Sequence, residues 1–136
     1  MKVTIVDERS ELSGCIDGVP QFTLGPRTDV LDACPKAEGM LMAIRSLSPD
    51  IVVTDEIGRA QDRDAVLEAA HAGVAVISSA HASSLQEWRL RPYMNELFEA
   101  KAFSRYVLLS RRHGPGTVEM VLDEAGRPLF GTTPDK

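Results

Sequence analysis

The sequence has few cysteines, no long apolar run, no basic excess and no phosphate-binding loop, and each absence excludes something. Two cysteines, Cys15 and Cys34, fit neither a zinc motif nor a CxxC redox pair. Reduced thiols and a cytoplasmic location are therefore expected. No apolar stretch approaches the ~18 residues that span a bilayer. The opening "MKVTIVDERS" meets acids from position 7 and lacks the apolar centre of a signal peptide. A soluble protein is expected, which leaves docking onto a membrane complex open. The net charge of −5 argues against a general nucleic-acid-binding surface. GxxxxGK[ST] is missing as well. "GPRTDV" and "GPGTVEM" have no lysine in place, and Lys36 in "PKAEG" has no glycine nest around it. A phosphate loop needs several backbone N–H donors and a lysine at a helix N-terminus. No internal repeat or low-complexity tract is visible.

What remains is an ordinary globular composition, 43% hydrophobic and 26% charged over 136 residues. That is enough for one domain with a core, and no internal boundary stands out. Four apolar runs recur: "KVTIVD" (2–7), "DIVVTD" (50–55), "GVAVISSAH" (73–81) and "YVLLSRR" (106–112). Rich in Val, Ile and Leu without strict alternation, they read as parallel strands buried on both faces. Helices fall between them, at 36–47, 64–72 with a stop at Gly73, and in "SSLQEWRL" with Ser84 and Glu87 as a capping box. A further helix, "PYMNELFEAKAF", opens at Pro92, and Trp88 reads as core. "TVEMVLDEAGRPLFGT" reads as a hairpin about Glu124–Gly126, and the Gly/Pro/Asp-rich segment 12–35 as a long loop or small irregular hairpin. The fold class is α/β.

Three strand ends carry chemistry-bearing residues. "IVVTDE" ends in Asp55 and Glu56, a pair suited to holding magnesium and polarising an attacking water. Taken alone, such a pair is more often a set of first-turn helix charges. "IVDERSE" delivers Asp7, Glu8, Arg9 and Glu11 to the same edge, where a solvated loop is the plainer reading. "VISSAH" ends in His81, and a lone histidine is more often structural. Three strands bringing carboxylate, carboxylate and imidazole to one edge are harder to dismiss. Arg27, Arg45, Arg59, Arg89, Arg91, Arg111 and Arg112 are candidates for phosphate or subunit contacts, although most surface arginines are merely solvated. "RRHGPGTV" reads as a turn.

Taken together, "IVDERSELSG", "GPRTDVLDACPKAEGMLMAIRSLSPDIVVTDEIGR", "LEAAHAGVAVISSAH" and "LSRRHGPGTVE" resemble the C-terminal part of the stage III sporulation protein AA family. The resemblance runs from about Lys2 to about Leu129 and covers several long motifs in order. It implies a RecA-like P-loop NTPase core, similar to the motor ATPases of type II and type IV secretion systems. The sheet would be mostly parallel, with flanking helices and a C-terminal hairpin. The family's phosphate loop lies upstream of the first strand here and would precede Met1, so residues 1–136 would be the C-terminal portion of one ATPase domain. "IVDERSE" resembles an acidic box (Asp7, Glu8). "IVVTDEIGR" resembles Walker B, with Asp55 for magnesium and Glu56 for water. "SSAH" resembles a histidine box, with His81 sensing the γ-phosphate. Arg27 and Arg45 are implied as contacts to nucleotide or to a neighbouring subunit. ATP and Mg2+ are the implied cofactors, and ATP hydrolysis the implied activity. The implied setting is a hexameric ring working with membrane proteins of the channel between mother cell and forespore. It would sit at the mother-cell face of the forespore membrane.

In that fold the phosphate-loop strand lies between the strand ending at His81 and "YVLLS". Without it, either the sheet carries a gap with unpaired backbone or those two strands close up. Exposed parallel edges invite pairing with another chain, so self-association is expected. Two other readings compete. One is a non-catalytic docking module that has lost its nucleotide cradle. The other is a phosphoacceptor receiver with Asp7 and Glu8 as metal acids, Asp55 as acceptor, Ser79 as switch and Lys101 as phosphate lysine. A receiver needs a helix straight after its first acids, where this chain has "SGCIDGVPQ". It also needs its lysine at the end of the fifth strand, whereas Lys101 precedes "YVLLS".

Overall fold

The structure is a computed structural model and describes residues 1–8 and 28–131. The chain divides into two compact units, Met1–His81 and Ala82–Lys136.

The first unit holds a parallel sheet of four strands, β1 (Val3–Asp7), β2 (Thr28–Asp32), β3 (Ile51–Glu56) and β4 (Ala75–Ser79), in the order β2-β1-β3-β4. β1 lies inside it, pairing with β2 on one side and β3 on the other. Its residues Thr4 to Asp7 are all buried, as the unalternating apolar run predicts. β2 was not foreseen. "TDVLD" falls within the stretch read as loop or irregular hairpin, and its aspartates and lack of a long apolar run hide it. The structure corrects that reading for 28–32, while residues 9–27 lie outside the described residues.

Helix α1 (Lys36–Met42) continues as a π-helical turn, Ala43–Leu47. Its Gly39 faces β1 so closely that a Cβ there would stand 2.8 Å from Val6 Cγ1 and 2.7 Å from Cys34 Sγ. Helix α2 (Ala60–His71) begins four residues before the sequence suggests and ends as expected at Gly73, whose φ is +75°. Val74 N–H donates to the Ala69 carbonyl at 2.9 Å and Gly73 N–H to that of Ala70 at 3.2 Å, closing the helix with a Schellman motif. α1 packs on β1 and on α2, and α2 packs on β4. Met40, Ala43, Val52, Ala65, Val66 and Ala69 fill the interior.

The second unit carries α3 (Leu85–Leu90), α4 (Met94–Glu99) and an antiparallel sheet of β5 (Arg105–Ser110), β6 (Thr117–Asp123) and β7 (Pro128–Gly131). Ser84 caps α3, its Oγ accepting from Glu87 N–H at 3.1 Å. The Glu87 carboxylate reaches back to Ser83, and the Ser83 donors hold its pKa down to about 2. α4 starts at Met94 rather than Pro92, because Tyr93 takes a positive φ of 72°. Trp88, Phe103, Phe98 and Tyr106 form an aromatic cluster with ring centroids about 6 Å apart.

β5 corrects a second expectation. "YVLLS" is not a buried parallel strand. It pairs antiparallel with β6, and its exposure alternates along the strand. Val107 and Leu109, which make the run look buried, lie on the exposed side. The first four strands follow the beginning of the 2-1-3-4-5 order of doubly wound sheets. A receiver requires a fifth parallel strand beside β4, and β5 belongs to the other sheet.

Candidate functional site

Because β1, β3 and β4 are parallel neighbours, their carboxyl ends share one edge of the sheet. Asp7 ends β1, Asp55 and Glu56 end β3, and His81 follows β4 by two residues. Asp7 is fully buried and Glu8 follows it half-exposed. The ladder between β3 and β4 shifts register between Val53 and Glu56: Val53 faces Ile77, and Glu56 faces Ser79. One extra residue on β3 makes this a β-bulge, which bends a strand and re-aims its side chains.

Asp55 and Glu56 consequently take different partners. The Glu56 carboxylate lies 3.1 Å from His81 Nδ1. The pair is exposed, with the His81 side chain 92% accessible. Asp55 turns to Lys36, whose Nζ is 3.6 Å from Asp55 Oδ1. The same ammonium is 3.8 Å from Glu8 Oε2 and 3.9 Å from Asp62 Oδ2, and it donates a hydrogen bond to the Glu56 carbonyl. Lys36 is well buried, with 11% of its side chain accessible, beside Asp55 at 14%. Asp62 accepts from the N–H groups of Gly58 at 2.9 Å and Arg59 at 3.0 Å, fixing the turn that follows β3.

The structure brings Asp7, Glu8, Asp55, Glu56 and His81 to one edge, and it sets beside them Lys36 and Asp62, which the sequence does not single out. Lys36 has no glycine nest around it and so does not read as a phosphate-loop lysine. Its position directly after Pro35, which caps the start of α1, was the available signal. Asp62 was readable as a first-turn acid of α2. Arg45 sits at the other end of its helix from Lys36, roughly 13 Å along the axis at the usual rise. It forms a bidentate pair with Glu68 of α2, at 3.0 and 3.3 Å from one guanidinium nitrogen. Arg27, like Arg9 and Glu11, lies outside the described residues. Cys34 is no activated thiol, since burial pushes its pKa up.

Among the described residues no group of three or more His, Cys, Asp or Glu side chains could cage a metal. Mg2+ does not require one: it keeps several waters and takes one or two carboxylates plus phosphate oxygens. Asp55 and Glu8 already converge on a cation, the Lys36 ammonium. The donor set fits a hydrated hard ion shared with phosphates. Among the described residues no helix is long and apolar enough to cross a membrane.

The fold is shared with secretion ATPases. The VirB11 ATPase of the Brucella suis type IV secretion system, solved with sulphate, superposes with a TM-score of 0.58 at 14% identity, over 90% of this chain and 40% of that one. The Legionella pneumophila ATPase DotB gives 0.58 at 18% identity, over 90% and 37%. These likenesses establish an α/β, RecA-like core. In sequence, the chain is 56% identical over 133 residues to stage III sporulation protein AA of Bacillus subtilis (strain 168). That match covers 98% of this chain and 43% of the relative, so the chain spans well under half of the relative's length. An uncharacterized protein, ycf45, of Cyanidium caldarium is 29% identical over 138 residues, covering 97% of this chain and 39% of that protein. The profile for sporulation stage III, protein AA matches residues 1–129, and the chain belongs to that family.

Proposed function

We propose that this chain supplies the water-activating wall of an ATP site in a sporulation ATPase. The observation that carries the reading is the pairing of Glu56 with His81 at the shared edge, with Asp55 beside them on a different partner. Asp55, with Glu8, would hold a hydrated Mg2+. The ion supplies charge neutralisation of the phosphoryl oxygens when bound. Glu56 accepts a hydrogen bond from the attacking water and orients it toward the γ-phosphate. His81 keeps the Glu56 carboxylate aimed and donates toward the γ-phosphate oxygens. Asp7, buried at the end of β1, anchors the acidic edge on which Glu8 stands. Arg27 and Arg45 contact nucleotide or the neighbouring subunit in a ring, Arg45 exchanging Glu68 for that partner. The family's sporulation setting and its likeness to secretion motors support a role in powering the channel between mother cell and forespore. Membrane proteins of that channel are the partners, and the chain works at the membrane's mother-cell face. No nucleic acid is involved.

The test is a chimera in which this chain replaces the matching segment of the Bacillus subtilis relative. ATP hydrolysis is expected, and Glu56→Gln should lower kcat at least a hundredfold while nucleotide binding persists. Undiminished turnover in Glu56→Gln would remove the role assigned to Glu56. Failure of the parent chimera to bind ATP would overturn the ATP reading itself.

A further inference from the structure

We propose that Lys36 is the resident counter-ion of the acidic edge, a positioning residue that the divalent cation displaces on binding. The inference rests on the reading of Asp55 as the metal acid. Three acids from three different elements face one ammonium: Glu8 after β1, Asp55 at the end of β3 and Asp62 in the first turn of α2. Counting these four side chains alone, one lysine offsets one of three formal negative charges. These side chains are largely buried, so solvent and salt screen the repulsion between the acids poorly.

The distances show how the lysine is held. At 3.6, 3.8 and 3.9 Å, none of the three carboxylates is within the usual range of a direct N–H···O bond. The hydrogen bond goes to the Glu56 carbonyl instead. Lys36 is thus tethered by backbone and shared loosely among acids that it keeps from repelling one another. A flexible four-carbon stem lets an ammonium withdraw without disturbing the fold. Magnesium binds carboxylate oxygen at about 2.1 Å and carries twice the charge, so it takes the same acids more tightly. Lys36 keeps the acids in place before the ion arrives and sets a threshold against metal binding without nucleotide.

The experiment measures Mn2+ binding to the 136-residue chain by the electron paramagnetic resonance signal of the free ion. Lys36→Met should bind Mn2+ at least tenfold more tightly than the unaltered chain. The gain should vanish in Lys36→Met with Asp55→Asn, and Lys36→Arg should restore the original affinity. A purely structural lysine would lower the melting temperature on replacement without tightening Mn2+. Equal Mn2+ affinity in Lys36→Met and the unaltered chain overturns the counter-ion role and leaves the Asp55 reading standing. Absence of Mn2+ binding in every form of the chain overturns this inference alone, whereas absence of nucleotide-dependent Mn2+ binding in the chimera with the Bacillus subtilis relative overturns the Asp55 reading, and this inference with it. Should Lys36→Met fail to fold, Mg2+ titration of the unaltered chain with 15Nζ-labelled lysine decides the question. The Lys36 signal should move while those of Lys2 and Lys101 stay, and a stationary Lys36 signal overturns the proposal.

Discussion

Asp62 has only 3% of its surface exposed, and its carboxylate accepts two backbone N–H groups in the turn that leaves β3. Asp62→Ala strips both donors of their partner, and a loss of about 1–3 kcal/mol is expected in chemical denaturation. Tyr106 behaves in the opposite way. Its hydroxyl is buried without a hydrogen-bond partner among the described residues. Burial pushes its pKa up to about 12, against the pull of Arg89. Free tyrosine ionises near pH ~10. The stabilisation tied to the neutral phenol is therefore whole below about pH 10 and lost as pH rises through about 12. Tyr106→Phe should flatten that alkaline slope and leave the melting temperature at neutral pH unchanged or slightly higher. At this scale the sequence discloses residues that advertise their chemistry. Asp55, Glu56 and His81 stand at strand ends and are readable. Lys36 and Asp62 matter through what they touch, and their partners lie 19 or more residues away or across a turn, so no local pattern flags them.

α1 rests on β1 through Gly39, where any side chain would press on Val6 and Cys34. Val6 is fully buried and has nowhere to retreat. Gly39→Ala should therefore destabilise by about 1–3 kcal/mol despite the better helix propensity of alanine. A denaturant midpoint unchanged or raised by this substitution would contradict the close approach. Elements with dense apolar runs were legible: β1, β3 and β4 fall where the sequence indicates, and Gly73 stops α2. β2 was not legible, because "TDVLD" lacks the apolar density of its neighbours and owes its strand to pairing with β1. β5 was legible as a strand but not in its direction. Apolar residues on its exposed side mimic a strand buried on both faces, and only pairing with β6 reveals the antiparallel sense.

Both sheets end in strands with apolar side chains open to solvent. Ile77 on β4 is 55% exposed, and on β5 Val107 is 51% and Leu109 62% exposed. Edge strands of this kind pair with other chains unless charged or covered. The 136-residue chain should self-associate as concentration rises, as read by sedimentation velocity. Ile77→Lys with Leu109→Lys should return it toward monomer. A concentration-independent monomer would count against the edges as contact surfaces. The order β2-β1-β3-β4 also has a consequence in time. β1 is made before the other three strands yet lies between two of them. Its outer neighbour β2 begins 25 residues later and its inner neighbour β3 48 residues later, counting from Val3 to Thr28 and to Ile51. At roughly 5–20 residues per second of synthesis, β1 waits about 2–10 seconds for β3. Ile5 and Val6 spend that interval without the partners that bury them, and their exposure on the ribosome, rather than in the finished fold, is when this sheet is most vulnerable.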